Sequence, residues 1–295
     1  MSKKTKVLIL AGGGIWGANQ IFLLNSLYID DIKNYVDVIS GCSIGGINAL
    51  ALAEGRSSSE MMNFYFDYSE KIFSSKNKDI FGCYSGKNMD KILKKLITGS
   101  YEDLKIPCFV PAIDFGKDKF FTFENVTREN NPYFSWMNWQ IARATSAAPT
   151  YFPPFGRNNS EVIIDGGLGE VVPIVDTACN VRKLMGVEFK DMDVFVLGTG
   201  KEQSKSHTLK EVSRYNPIDW LTNMLIPYTT MSNEMTSVKW GESMGFNSFV
   251  YYNPANVYGS MDEWQQVIDG TLYNECAKYF DDFKEKFLNF VRRWN

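Results

Sequence analysis

The stretches Lys6–Gly17, KVLILAGGGIWG, and Val36–Gly45, VDVISGCSIG, decide the fold. Lys6 to Ala11 is a continuous apolar run with the composition of a strand buried on both faces. A glycine turn follows, and Ile15 to Tyr28 then carries Ile21, Leu24 and Leu27 at helical spacing. Val36 to Ser40 is a second short strand. It enters a tight Gly41-Cys42-Ser43-Ile44-Gly45 turn and a helix from Ile44 to Glu54, which Gly55 would end. A βαβα opening predicts a parallel sheet with helices on its faces. The expected fold class is therefore α/β, a three-layer α/β/α arrangement with a mainly parallel central sheet.

Working outward, residues 58–100 read as helical and aromatic-rich. Phe64, Tyr65, Phe66, Tyr68 and Phe73 admit two readings, lid or core. Strands are expected at Pro107–Ile113 and Lys119–Phe123, and a helix over 136–148 that Pro149 stops. Val162 to Ile164 forms a short strand ending in Asp165-Gly166-Gly167, and Val194 to Leu197 another ending in Gly198-Thr199-Gly200. Residues 201–214 read as a polar loop passing into a helix. The remainder reads as mostly helical, with one strand at Phe249–Tyr252. No repeat or low-complexity linker interrupts the chain. Cys276, Phe280, Phe283, Phe287, Phe290 and Trp294 form one apolar stripe at helical spacing, open to packing on the domain or to an interfacial or oligomer surface. A homo-oligomer thus stays among the expectations.

The 295 residues are 44% hydrophobic and 22% charged, which excludes a disordered or fibrous chain. Lys+Arg number 31 against 34 Asp+Glu, so there is no basic excess for a phosphate backbone, and nucleic acid is not an expected partner. Cys42, Cys83, Cys108, Cys179 and Cys276 are odd in number and widely spaced, which suits reduced thiols in a cytosol-like compartment. The start imitates a signal peptide, but the apolar run is short and no A-x-A site follows, so a buried first strand is expected. No apolar run is long enough for a transmembrane helix. His207 is the single histidine. A His-rich metal site is excluded, and neither metal nor cofactor is expected.

Gly12-Gly13-Gly14-Ile15-Trp16-Gly17 fits G-x-G-x-x-G between strand and helix, a weak dinucleotide signal. Asp37 lies at about the interval of a ribose-binding acid, but near the start of its strand rather than its end. Gly41-Cys42-Ser43-Ile44-Gly45 is a G-x-S-x-G in the strand-to-helix context that motif requires. It places the serine on a strained bend, with the following helix aiming its N-terminus at the hydroxyl. The amides of Gly12, Gly13 and Gly14, at the end of a neighbouring parallel strand, can face the same point as an oxyanion hole. For the base, two readings stand. Ser43…Asp165…His207 follows the α/β-hydrolase order, but too few strands precede Ser43 and His207 lies in a hydrophilic segment. Asp165 ends a short apolar strand at the carboxyl edge of the sheet, where it can take the serine proton directly.

Together these residues resemble the patatin-like phospholipase family: the glycine-rich loop Gly12–Gly17, the nucleophile motif at Ser43 with Gly41 and Gly45, and the Asp165-Gly166-Gly167 aspartate. Ala142–Pro154 and Val196–Gly200 are similar to further family segments, and the likeness runs over 7–200 in the same order. It implies a patatin-like catalytic core over 7–200, with 201–295 as a mostly helical part completing the same domain. It further implies metal-independent hydrolysis of lipid acyl esters by a Ser43–Asp165 dyad, of phospholipase A or lysophospholipase type. The substrate would be met at a membrane surface by a cytoplasmic protein in peripheral contact. Two positions depart: Trp16 stands where the family usually has Arg or Lys, and Val172 where it commonly has Asn. A non-catalytic lipid-binding or regulatory module on the same fold remains the alternative, beside a Ser-Asp-His esterase. His207→Ala separates the base readings in an ester-hydrolysis assay. The carboxylate reading expects near-wild-type rates, and the triad reading a loss of about 10³-fold or more.

Overall fold

A computed structural model describes residues 4–79, 83–202, 208–221 and 225–292; His207 and Trp294 lie outside the described residues. Its strands are β1 (Thr5–Leu10), β2 (Val38–Gly41), β3 (Cys108–Asp114), β4 (Lys119–Glu124), β5 (Ile163–Asp165), β6 (Met192–Leu197), β7 (Lys201–Glu202), β8 (Ser248–Tyr252) and β9 (Asn256–Val257). The helices are α1 (Ala18–Asn25), α2 (Ile44–Glu54), α3 (Ser58–Phe73), α4 (Gly86–Leu96), α5 (Asn138–Thr145), α6 (Gly167–Glu170), α7 (Ile174–Met185), α8 (Leu209–Val212), α9 (Pro217–Trp220), α10 (Ile226–Ser243), α11 (Gln265–Ile268), α12 (Thr271–Ala277) and α13 (Phe280–Arg292).

A strand apolar on both faces must lie inside a sheet covered on both sides, and β1 does. It pairs in parallel with β2 on one edge and β6 on the other, in the order β4-β3-β2-β1-β6-β8. Its side chains alternate between two cores. Leu8 and Leu10 join the larger, with residues of α1 to α5, α12 and α13. Val7 and Ile9 join the smaller, with Ile174, Ala178 and Val181 of α7. This is the expected three-layer arrangement. β4 and β5 run antiparallel to β3.

One local feature of the sheet positions everything that follows. β2 pairs with β3 only at Ile39–Cys108 and Ser40–Phe109. β4 lies along β3 from Phe109 to Asp114. The remaining length of the edge that β2 leaves is taken by β5, which pairs Ala112 with Asp165. The end of β2 and the end of β5 therefore meet beside β3.

The structure departs from the expected elements in a few places. The helix after the glycine loop starts late, because Gly14–Gly17 forms a 3-10 turn before α1. α5 spans Asn138–Thr145, inside the expected 136–148: Ser146 leaves helical geometry at φ −101° and ψ +13°, and the Ala147 carbonyl accepts the Asp165 N–H at 3.1 Å. β7 and β9 form an additional two-stranded sheet that their short polar sequences do not signal. Phe64, Tyr65 and Phe73 belong to the core, not to a lid. The C-terminal stripe also packs inward: Phe283, Phe287 and Phe290 surround Phe195 of β6, with ring centroids 6.1, 5.4 and 5.3 Å from it. Among the described residues no helix is long and apolar enough to cross a membrane. Phe287 has no exposed surface. Phe287→Ala is expected to cost about 3–5 kcal/mol, read as a lower urea midpoint in equilibrium unfolding.

Candidate active site

Ser43 sits between the last residue of β2 and the first of α2, at φ +55° and ψ −124°. A non-glycine residue held there stores about 1–3 kcal/mol, which persists only where the surroundings over-determine the backbone. Those surroundings are specific. The Ser43 N–H donates to Thr145 Oγ1 at 3.1 Å, and the Thr145 hydroxyl donates to the Pro111 carbonyl at 2.7 Å. Gly45 lets α2 begin against the end of β1, since a Cβ on it would overlap the Leu10 and Ala11 carbonyl oxygens; one on Gly41 would overlap the Gly45 carbonyl. The first N–H groups of α2 thus begin beside the serine, free of intrahelical partners.

Asp165 ends β5 and is 5% exposed. Ser43 Oγ donates to its Oδ2 at 2.6 Å. Its Oδ1 accepts from the Gly167 N–H at 2.7 Å and, more loosely, from Cys42 Sγ at 3.8 Å. No ion pair reaches it among the described residues. Burial pushes its pKa up to about 6, against the downward pull of the bonds from Ser43, Gly167 and Cys42. Burial likewise raises the Cys42 thiol well above its usual range, so it stays a neutral donor. Gly166 fits where a Cβ would lie 2.5 Å from the Pro111 carbonyl.

The glycine loop lies against this pair, a Cβ on Gly12 falling 3.3 Å from Ser43 Cβ. Its three amides are not equivalent. The Gly12 N–H donates to the Val171 carbonyl at 2.8 Å, so of the expected Gly12–Gly14 donors Gly12 is already engaged. Gly13 and Gly14 are half-buried, and no acceptor takes their N–H groups among the described residues. Thr199 Oγ1 donates to the Gly12 carbonyl at 3.1 Å, and Asn19 Nδ2 to the Thr199 carbonyl at 2.8 Å. Gln20 Nε2 bonds the Ala11 and Leu197 carbonyls at 2.9 and 3.0 Å, and Asn48 Nδ2 holds Gln20 Oε1 at 2.9 Å. Gly17 takes Ile44 where its own side chain would be.

Thr145, Asn19, Gln20 and Asn48 escaped the reading of the sequence. The polar Asn19-Gln20 pair inside an apolar helical pattern was the signal to follow, because buried amides need partners. Trp16 is 4% exposed and packed in the larger core, so it offers nothing to a head group. Val172 is buried in the smaller core. Asp37 accepts the Lys6 N–H at 2.9 Å at the start of β2, the opposite end of the sheet from the glycine loop. A ribose cannot meet both, which removes the dinucleotide reading. Among the described residues no group of three or more His, Cys, Asp or Glu could hold a metal. The arrangement brings together a hydroxyl bonded to a carboxylate, a helix N-terminus and two unpartnered amides. Those are the parts a serine needs to attack a carbonyl.

A family model described as patatin-like phospholipase matches residues 8–178. The chain is 29% identical over 241 residues to a cGAMP-activated phospholipase of Escherichia coli (strain TW11681), covering 72% of this chain and 67% of that protein. It is 27% identical over 255 residues to a probable inactive patatin-like protein 9 of Arabidopsis thaliana, covering 72% and 65%. The chain thus spans about two thirds of these relatives' length. The solved structure of VipD from Legionella pneumophila matches with TM-score 0.44 at 11% identity, covering 96% of this chain and 67% of that one.

Asp165 also makes a stability prediction. Its carboxyl rises from 3.8 to about 6 on folding. As pH climbs through that interval the unfolded chain releases the proton first, so wild type loses stability relative to a variant that cannot ionise. The melting temperature of Asp165→Asn minus that of wild type is expected to grow between about pH 4 and pH 6 and then level off. A gap independent of pH contradicts the burial argument.

Proposed function

The chain belongs to the patatin-like phospholipase family, and on that premise we propose that it cleaves carboxylic ester bonds of membrane lipids through an acyl-serine intermediate. The bond from Ser43 Oγ to Asp165 Oδ2 carries this reading, because it supplies a nucleophile with a base in place. In the proposed cycle Ser43 Oγ attacks the ester carbonyl while Asp165 Oδ2 takes its proton. The oxyanion that forms is met by the amides of Gly13 and Gly14 and by the N-terminus of α2. Collapse of the tetrahedral species expels the alcohol, which carries off the proton from Asp165. Water then attacks the acyl-enzyme with Asp165 again as base, releasing a fatty acid and restoring Ser43. A base poised near pH 6 is largely ionised at neutral pH yet still basic enough to accept a proton. The reaction type proposed is that of a phospholipase A or lysophospholipase.

We also place 201–295 in the same domain as the 7–200 core. In support, β8 extends the sheet beside β6 and α13 covers Phe195. Contact with a membrane surface is supported by α10 and its N-cap residue Leu225. Leu225, Tyr228, Met231 and Met235 are 46–53% exposed there. Asn233 Nδ2, on the opposite face of the same helix, donates to the Leu168 carbonyl at 2.9 Å, which docks α10 three residues beyond Asp165 and leaves the apolar face outward. The rival reading, a lipid-binding module without catalysis, is prompted by the Arabidopsis relative, whose name marks it as probably inactive.

An active-site-directed fluorophosphonate that fails to label Ser43 would favour that rival. Ester hydrolysis is expected to fall by about 10³-fold or more in Ser43→Ala and in Asp165→Ala, with lipid products identified by mass spectrometry. kcat/KM should decline tenfold per pH unit below about 6, where the free enzyme's base becomes protonated. The double change Met231→Asp and Met235→Asp should lower hydrolysis of vesicle lipids several-fold and leave a soluble short-chain ester unaffected.

A further inference from the structure

The glycine loop must hold two amides in place, yet its own hydrogen bonds stop short of them. On the near side Gly12 is fixed by Val171 and Thr199. On the far side the next main-chain bond is the Ile15 N–H to the Met261 carbonyl, at 2.8 Å. Gly13 and Gly14 lie between these two anchors, at φ +157° and +58°. The approach of Met261 is close enough that a Cβ on Gly14 would overlap its carbonyl oxygen. The far anchor thus comes from residues 258–264, well beyond the stretch matched by the family model.

That segment is irregular, turned by main-chain bonds from the Glu263 N–H to the Ser260 carbonyl at 3.0 Å and from the Trp264 N–H to the Asp262 carbonyl at 2.9 Å. Side chains tie it to the rest of the fold, chiefly that of Asp262. Its Oδ1 accepts from the Ser260 hydroxyl at 2.6 Å, folding the segment on itself. Its Oδ2 accepts from the Tyr84 hydroxyl and lies 3.6 Å from Lys78 Nζ. Tyr84 is 3% exposed and wedged edge-on against Phe73, with Phe152 beside it. Its N–H donates to the Tyr151 carbonyl at 2.7 Å. Burial works against the Asp262 charge, but the Ser260 and Tyr84 hydroxyls and the Lys78 ammonium outweigh it, and the carboxyl is held below its ordinary value. A charged acceptor bonded this way is stronger than a neutral one.

We propose that Asp262 is a positioning residue for the oxyanion hole: it ties residues 258–264 to Tyr84 so that the Met261 carbonyl fixes Ile15 and, through it, the Gly13 and Gly14 amides. The assignment rests on the proposed ester hydrolysis with Gly13 and Gly14 as donors. Asp262 touches no reacting atom; it acts through the main chain. Loosening it lets the loop drift, and a displacement of about 1 Å at an oxyanion donor can cost up to about 10²-fold in rate.

The experiment compares wild type with Asp262→Ala, Asp262→Asn and Tyr84→Phe, the last keeping the ring and removing only the hydroxyl. Fluorophosphonate titration counts competent sites, and kcat is expressed per labelled Ser43, which removes any unfolded fraction. The expected result is a kcat at least tenfold lower in Asp262→Ala with KM within twofold. Asp262→Asn, which keeps an acceptor, should be intermediate, and Tyr84→Phe should add little to Asp262→Ala in the double variant. Affinity for a trifluoromethyl ketone, whose tetrahedral adduct needs the same amides, should fall in proportion to kcat/KM across the series. A folded Asp262→Ala with wild-type kcat, or one that loses only labelled fraction, overturns the proposal. Absence of ester hydrolysis in wild type defeats the functional reading itself and is seen before any variant is made.

Discussion

The hydrogen bond between Ser43 Oγ and Asp165 Oδ2 joins residues 122 positions apart. It exists only because two strands share one edge of β3. β2 stops pairing after Ser40–Phe109, and β5 begins where that edge is vacant, with Asp165 opposite Ala112. Had β2 run on along β3, it would have excluded β5 and the aspartate with it. The short β2 also releases the chain into the strained bend at Ser43. One truncation of a strand thus exposes the hydroxyl and makes room for its partner.

The same placement sets the electrostatics. Asp165 is buried without a counter-ion among the described residues, so its carboxyl is compensated only by hydrogen bonds from Ser43, Gly167 and Cys42. Three such bonds do not offset full desolvation, and the proton is held to about pH 6. An adjacent arginine would have lowered the basicity. The arrangement therefore costs stability at neutral pH and leaves a carboxylate of raised basicity, as the proposed cycle requires.

Rigidity around the pair comes from buried polar side chains. Thr145 connects the Ser43 amide to β3, and Gln20 binds the ends of β1 and β6 through the Ala11 and Leu197 carbonyls. Ala11 and Leu197 stand at the carboxyl ends of β1 and β6, where ladder pairing runs out and the Gln20 amide completes the bonding of their carbonyls. The polar network and the apolar cores on the two faces of the sheet divide the work: the cores hold the layers together, and the network fixes the loops at one edge.

Much of this was legible in the chain itself. The apolar run of β1 demanded a sheet covered on both faces, and G-x-S-x-G between strand and helix marked Ser43, because local backbone requirements leave local signatures. Asp165 could be named from a short apolar strand ending in two glycines, but not its distance from Ser43. The sequence likewise could not say that Gly12 donates to Val171, that Trp16 turns into the core, or that 258–264 lies on the glycine loop. Each of those depends on which carbonyl or side chain arrives from a remote segment, and only the paired strands and packed helices decide that.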